Sequence, residues 1–344
     1  MKTSEVMHAW ATILSGRAPS ISIELTRECP LRCPGCYAYD DGHLGLPGIT
    51  LRQLADYKGS ALVHGVLRLV EERRPLHVSL VGGDPMVRFR ELEELLPELE
   101  RRGVHVQLVT SAFRRIPVQW NALSHLNIVV SVDGLQPEHD VRRKPATYER
   151  ILKSIDGTKV TIHCTVTGQM MGRPGYLEDF IQFWSERKET KRIWISLFTP
   201  QMGAVGPEIL TPDERKRVTE DLLRLQAMYP LLDMQKGVIE EFHHPPASPK
   251  DCIFAQTTLT VSADLKTRIT PCQFGGTPDC SQCGCIASMA LAAVGNHRVM
   301  PGVTAGQLFT LSALIGKGVN KLRSLREPNE PVGYPEPEED REVA

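Results

Sequence analysis

The sequence predicts an α/β fold, and two observations carry that prediction. Short strand patterns alternate with amphipathic helical ones from about residue 20 to about residue 200, and the strands are apolar on one parity and polar on the other. Strands joined through helices run parallel with right-handed crossovers. A doubly wound sheet, buried on both faces, would be apolar on both parities. The alternation therefore points to an open, barrel-like sheet with helices outside and a polar inner face around a polar ligand.

The strands are expected at 21–25, 77–81, 105–109, 127–132, 159–166 and 193–197. Ile21, Ile23, Leu25, Val78, Leu80, Val106, Leu108, Ile128, Val130, Ile162, Cys164 and Val166 would face the covering helices. The opposite parity presents Ser22, Glu24, His77, Ser79, Gln107, Ser131, Asp133, His163, Thr165, Thr167 and Ser196. Helices are expected over 50–74, 88–102, 145–157 and 175–186. In the second of these, Leu92, Leu95, Leu96 and Leu99 recur at helical spacing, Gly103 follows as a C-cap, and Pro97 marks the start of a new helical turn. Past residue 203 the pattern changes. Thr211 stands as the N-cap of TPDERKRVTEDLLRLQAMYP, whose first turn is acidic. A Pro-rich connection, EFHHPPASPKD, then leads on, its His243 and His244 read as solvent-facing. The end, LREPNEPVGYPEPEEDREVA, is too poor in apolar residues to pack.

Composition narrows the class. Forty Lys and Arg balance 41 Asp and Glu, so there is no footprint for nucleic acid. The start, MKTSEVMHAWATILSG, lacks the apolar run of a signal peptide, and no stretch approaches a transmembrane helix, so the reading is a cytoplasmic protein with reduced thiols. Nine cysteines then argue for metal or redox chemistry rather than a disulfide framework. Cys29, Cys33 and Cys36 form one group, Cys252, Cys272, Cys280, Cys283 and Cys285 another, and Cys164 is read as a core residue.

The first group, CPLRCPGCY, follows the first strand. Three thiolates at this spacing can hold three corners of a cubane iron–sulfur cluster and leave the fourth iron open. A structural zinc site needs four protein ligands, and His43 could supply the last. The second strand ends in VGGDP, where two glycines admit a ligand to the backbone and carbonyls plus Asp84 can accept the three N–H donors of an ammonium group. The fourth strand runs into SVDGLQPEHDVRR, with Ser131 and Asp133 on the polar parity, and the third into VTSA. All these motifs follow C-terminal strand ends, where barrel-type α/β folds build their sites.

These stretches resemble the radical S-adenosylmethionine (radical SAM) superfamily. CPLRCPGCY is similar to its cluster loop, with Gly35 where an aromatic residue is frequent and Tyr37 two positions on. VGGDP resembles its Gly-Gly-Glu-Pro motif, one methylene shorter at Asp84. SVDGLQPEHDVRR resembles the Ser-Ile-Asp-Gly…His-Asp…Arg segment of members with extra clusters. The resemblance implies a partial (β/α)6 TIM-type barrel in which Cys29, Cys33 and Cys36 bind a 4Fe–4S cluster whose open iron is chelated by SAM. It further implies SAM contacts from Gly82, Gly83, Asp84 and Pro85 to the amine, from Ser131 and Asp133 to the ribose, from Arg143 (or its neighbour Arg142) and Ser111 to the carboxylate, and from the backbone near Tyr37 to adenine. One electron, from a flavodoxin- or ferredoxin-type donor, would cleave SAM to methionine and a 5′-deoxyadenosyl radical.

FAQTTLTVSADLKTRITPCQFGG, from Phe254, resembles the hairpin of SPASM and twitch extensions, which hold auxiliary iron–sulfur clusters. Five cysteines suffice for one auxiliary 4Fe–4S cluster with one to spare; by ligand type alone a zinc ribbon stays open. The resulting organisation is an N-terminal segment (1–17), a radical SAM partial barrel (18–205), a small cysteine-rich extension (206–300), and a C-terminal helix and tail (301–344). Twenty residues precede Ile21, few for a domain that recognises a peptide leader, and the start is similar to hopanoid adenosyl-transferring enzymes. The favoured substrate is therefore a small molecule or lipid intermediate. A SPASM-type peptide maturase is the alternative, and a non-catalytic iron–sulfur or zinc protein the second.

Overall fold

The computed structural model describes residues 3–39, 42–44, 53–145 and 148–326. Seven parallel strands form its main sheet: β1 (Ser20–Glu24), β2 (His77–Val81), β3 (His105–Thr110), β4 (Leu126–Ser131), β5 (Val160–Val166), β6 (Thr190–Leu197) and β7 (Thr258–Val261), in the order β6-β5-β4-β3-β2-β1-β7. Six lie where the sequence places them. All twelve residues of the expected outward parity belong to one continuous core. On the inner face, in-register pairing sets Thr260, Ser22, Ser79, Gln107 and Asn127 side by side across five strands. A one-residue slip would push this polar row into the core, so the alternation itself fixes the register.

The helices are α1 (Thr3–Leu14), α2 (Gly59–Arg73), α3 (Phe89–Arg101), α4 (Glu138–Arg142), α5 (Tyr148–Ile155), α6 (Tyr176–Ser185), α7 (Pro212–Met228), α8 (Lys236–Glu240), α9 (Ile253–Thr257), α10 (Ile286–Asn296) and α11 (Ala305–Arg326). The helix expected from residue 50 begins at Gly59, and residues 50–52 lie outside the described residues. Pro97 does not start a new turn: α3 runs through it unbroken, because burial of Leu92, Leu95, Leu96 and Leu99 outweighs the one lost donor. Thr211 caps α7 as expected, in a capping box where its hydroxyl accepts from Glu214 N at 3.3 Å and Glu214 Oε2 accepts from Thr211 N at 2.8 Å. At the end of the described chain α11 packs on α1, with Trp10 stacked on Phe309 at 5.1 Å. The Pro- and Glu-rich tail from residue 327 lies outside the described residues.

The seventh strand is a correction to the expected six. Thr258–Val261 does begin a hairpin, closed by Ile269 N to Thr260 O at 2.9 Å and Ser262 N to Thr267 O at 2.9 Å, but its first arm pairs with β1 and extends the main sheet. A bare β1 edge would leave a row of unpaired backbone groups beside the cysteine loop, and β7 satisfies them.

Candidate active site

The first cysteine loop leaves the C-terminal end of β1 with Cys29, Cys33 and Cys36 part-exposed, whereas Cys164 is buried in the core. Leu31 N donates to Cys29 Sγ at 3.4 Å, and the loop is stitched to residues 142–144 by Arg32 N to Lys144 O (2.5 Å) and Arg142 Nη1 to Pro34 O (3.1 Å). Gly35 turns the loop at φ +65°, a conformation that disfavours a side chain. Beneath it lies a brace that sequence reasoning missed. Buried Arg88 donates to Glu28 and to Asp56, both at 3.0 Å, while Thr26 Oγ1 and Arg27 N donate to the other Asp56 oxygen at 3.1 Å. Arg88 and Lys58 hold the Glu28 carboxyl at about 2, well below its usual range. These partners lie tens of residues apart, so no local pattern announces them. Burial pushes the Cys29 thiol up to about 11, and a metal's positive charge is what would favour its thiolate.

The VGGDP loop differs in detail from its sequence reading. A Cβ on Gly82 would stand 2.5 Å from Thr26 O, and one on Gly83 would stand 2.1 Å from Glu28 O. The glycines thus make room for the chain's own backbone entering the cysteine loop, to which Gly83 N and Asp84 N donate at 2.8 and 2.9 Å. Asp84 is buried and its carboxylate is filled: it accepts from Met86 N (3.0 Å), Thr110 Oγ1 (2.8 Å), Ser111 N (2.8 Å) and Ser111 Oγ (2.5 Å). Burial raises its pKa and these four donors oppose the rise. Asp84 therefore ties the ends of β2 and β3 together, and Ser111 has given its hydroxyl proton to that tie. The carbonyls of Gly82 and Gly83 accept no hydrogen bond among the described residues.

At the end of β4, Asp133 is buried and takes Arg143 Nε at 2.8 Å and Thr165 N at 3.2 Å, with Arg142 Nε 3.2 Å away. Burial alone would raise this carboxyl, but Arg143 and Arg142 outweigh it and hold it at about 2. Asp133 is thus committed to the arginines, while the two terminal nitrogens of Arg143 make no hydrogen bond among the described residues. Asp133 N donates to Nδ1 of the buried His139, a positioning role that the His-Asp motif did not reveal. On the inner face His163 Nε2 lies 2.8 Å from Ser196 Oγ, which also accepts Ile286 N at 3.2 Å. Burial lowers His163 to about 4, so it is neutral above that pH.

All five C-terminal cysteines line one cavity. Arg215 of α7 frames it by donating to the carbonyls of Phe242 (3.0 Å), Gln282 (3.0 Å) and Cys283. The cavity is pinned to the end of β6 by Gly284 N to Thr199 Oγ1 (2.9 Å) and Leu197 N to Gly284 O (2.9 Å). It meets the first loop at Tyr37, whose ring packs against Phe274 (5.4 Å) and His43 (5.5 Å). His43 does not complete a zinc site, because its ring nitrogens face Glu24 Oε1 at 2.6 Å and Phe274 O at 3.1 Å. Among the described residues no three His, Cys, Asp or Glu side chains converge tightly enough for a single metal ion.

The family model of the radical SAM superfamily matches residues 23–185, spanning the cysteine loop and five of the seven strands. Residues 23–185 form a radical SAM domain. Members bind a 4Fe–4S cluster and SAM, and a non-catalytic scaffold is thereby set aside. The chain is 22% identical over 298 residues to the PqqA peptide cyclase of Xanthomonas campestris pv. campestris (strain 8004), covering 81% of this chain and 73% of that protein. Its fold matches Streptococcus suis SuiB bound to the precursor peptide SuiA, with a TM-score of 0.53 at 16% identity over 76% of this chain and 61% of that one. It matches anSMEcpe with bound AdoMet, with a TM-score of 0.52 at 16% identity over 74% of each chain. The chain thus spans about three-fifths of the SuiB chain. No helix among the described residues is long and apolar enough to cross a membrane.

Proposed function

We propose that this radical SAM enzyme modifies a peptide. The observation that carries the reading is similarity over 81% of the chain to a peptide cyclase, and the fold shared with a precursor-bound SuiB supports it. It replaces the small-molecule or lipid substrate favoured by the sequence, which rested on the short stretch before β1, and no comparison supports that substrate. A 4Fe–4S cluster held by Cys29, Cys33 and Cys36, with SAM on its open iron, would supply one-electron reductive cleavage chemistry.

The chain's own residues divide the remaining work. Cys29, Cys33 and Cys36 hold the cluster. The carbonyls of Gly82 and Gly83 accept the SAM ammonium group, with Asp84 and Pro85 fixing their loop. Arg143 presents its two terminal nitrogens to the SAM carboxylate, since a guanidinium suits two-oxygen recognition. Asp133 and Ser111 act through Arg143 and Asp84, Ser131 offers its hydroxyl to the ribose, and backbone beside Tyr37 meets adenine. With SAM, dithionite and a candidate precursor peptide under anaerobic conditions, the enzyme is expected to form 5′-deoxyadenosine together with a mass-shifted peptide. Conversion of a small molecule with every peptide left unchanged would refute the assignment.

For the auxiliary cluster, four of the five cysteines are favoured. Cys285 already accepts Gln273 Nε2 at 3.4 Å, so it is assigned as the spare thiol, with Cys252, Cys272, Cys280 and Cys283 of the same cavity as the ligands. Cys285→Ala is expected to keep about eight irons per chain after reconstitution, whereas alanine at any of the other four leaves about four. Iron and sulfide analysis reads the difference. A Cys285 variant with half the iron would overturn this ligand set.

A further inference from the structure

The two cysteine groups meet at a buried junction. Tyr37 directly follows Cys36, and its ring packs edge-on against Phe274, which lies two residues after Cys272 and lines the five-cysteine cavity. His43, 1% exposed, faces Phe274 O through Nδ1 at 3.1 Å and Glu24 Oε1 through Nε2 at 2.6 Å. Both neighbours are acceptors, so Nδ1 carries a proton for the carbonyl and one proton is shared between Nε2 and the carboxylate. The second Glu24 oxygen accepts Ser262 Oγ at 3.0 Å, from the hairpin that leads to Cys272. The backbone closes the same contact, since Gly276 N donates to His43 O at 3.2 Å. A Cβ on Gly275, at φ +63°, would stand 1.5 Å from that oxygen.

Apolar packing would hold these segments together without taking a carboxylate and an imidazole out of water, which costs free energy. Apolar contacts, however, tolerate sliding, whereas directional hydrogen bonds specify one register. Glu24 ends β1, His43 lies seven residues past Cys36, and Phe274 and Ser262 flank Cys272, so the pair fixes one cysteine group against the other.

We propose that the Glu24–His43 pair, with the Tyr37–Phe274 contact, is a positioning device that sets the separation and orientation of the two iron–sulfur clusters and so their electronic coupling. This rests on the auxiliary-cluster reading above. Glu24 and His43 are positioning residues, and SAM cleavage itself does not need them.

The test uses the full chain, anaerobically reconstituted, as wild type, His43→Phe and Glu24→Gln. Iron and sulfide counts are followed by paramagnetic resonance of the dithionite-reduced protein, in which a nearby second cluster speeds relaxation of the first. Wild type and both variants are expected to hold about eight irons. In His43→Phe the microwave power needed to half-saturate the first cluster should fall about threefold to tenfold, with a comparable loss of product per 5′-deoxyadenosine, and Glu24→Gln should fall between it and wild type. Eight irons with wild-type saturation in both variants overturns the junction and spares the auxiliary cluster. Four irons in wild type overturns both. Should His43→Phe lose iron, Glu24→Gln, which keeps the shape of the pair, decides by the same readout: altered saturation supports the junction and unchanged saturation overturns it.

Discussion

Cys33→Ala is expected to abolish SAM cleavage, lowering 5′-deoxyadenosine formation by about 1,000-fold or more, because two thiolates cannot hold a cubane that three were placed to bind. Cys272→Ala should behave differently. Its thiol lies in the cavity beyond Tyr37 and Phe274, so the first cluster assembles, SAM is cleaved at a reduced but measurable rate, and modified product is lost. Chromatography of 5′-deoxyadenosine beside mass spectrometry of the product separates the two. Complete and equal loss of cleavage in both variants, with the first cluster intact in each, would contradict the division of labour.

Asp133→Asn is expected to have the largest effect on stability among the SAM-site residues, about 3–5 kcal/mol, because it removes the buried carboxylate charge that the half-buried Arg143 and Arg142 share. The pH dependence follows from the carboxyl being held at about 2. A depressed carboxylate contributes stability above its unfolded value of about 3.9, and this contribution disappears as pH falls through about 2. The difference between wild type and Asp133→Asn in thermal unfolding, followed by circular dichroism, should therefore be constant from pH 7 to about pH 4 and shrink by about 2 kcal/mol below it. A difference that grows on acidification would show that the two arginines do not depend on this carboxylate.

Much of this architecture is legible in short stretches of sequence. Strand positions follow from period-two alternation, and the same alternation marks out the polar row through Ser22, Ser79 and Gln107. The cysteine spacing and the loops after β1, β2 and β4 mark the site because their residue types are informative one segment at a time. What stayed hidden depends on partners distant in sequence. Asp84 reads as a ligand group until Thr110 and Ser111 are seen to occupy it. Gly82 and Gly83 read as room for a ligand at the backbone until Thr26 and Glu28 are seen to fill the space their side chains would take. His43 stands as a fourth ligand for the zinc alternative until Glu24 and Phe274 take its two nitrogens. In each case local chemistry is read correctly and its partner is supplied by tertiary packing, which one-dimensional periodicity does not encode.

The pairing of β7 with β1 also bears on how this molecule can be cut. Excising everything after β6 would not liberate a tidy catalytic half. It would strip Thr258 to Val261 from a central neighbour and uncover a sticky ribbon at the root of the loop that carries Cys29. The tail-ward cysteine segment is thus woven into the barrel wall, and a recombinant fragment lacking it would present the first cysteine loop beside an open template for aggregation.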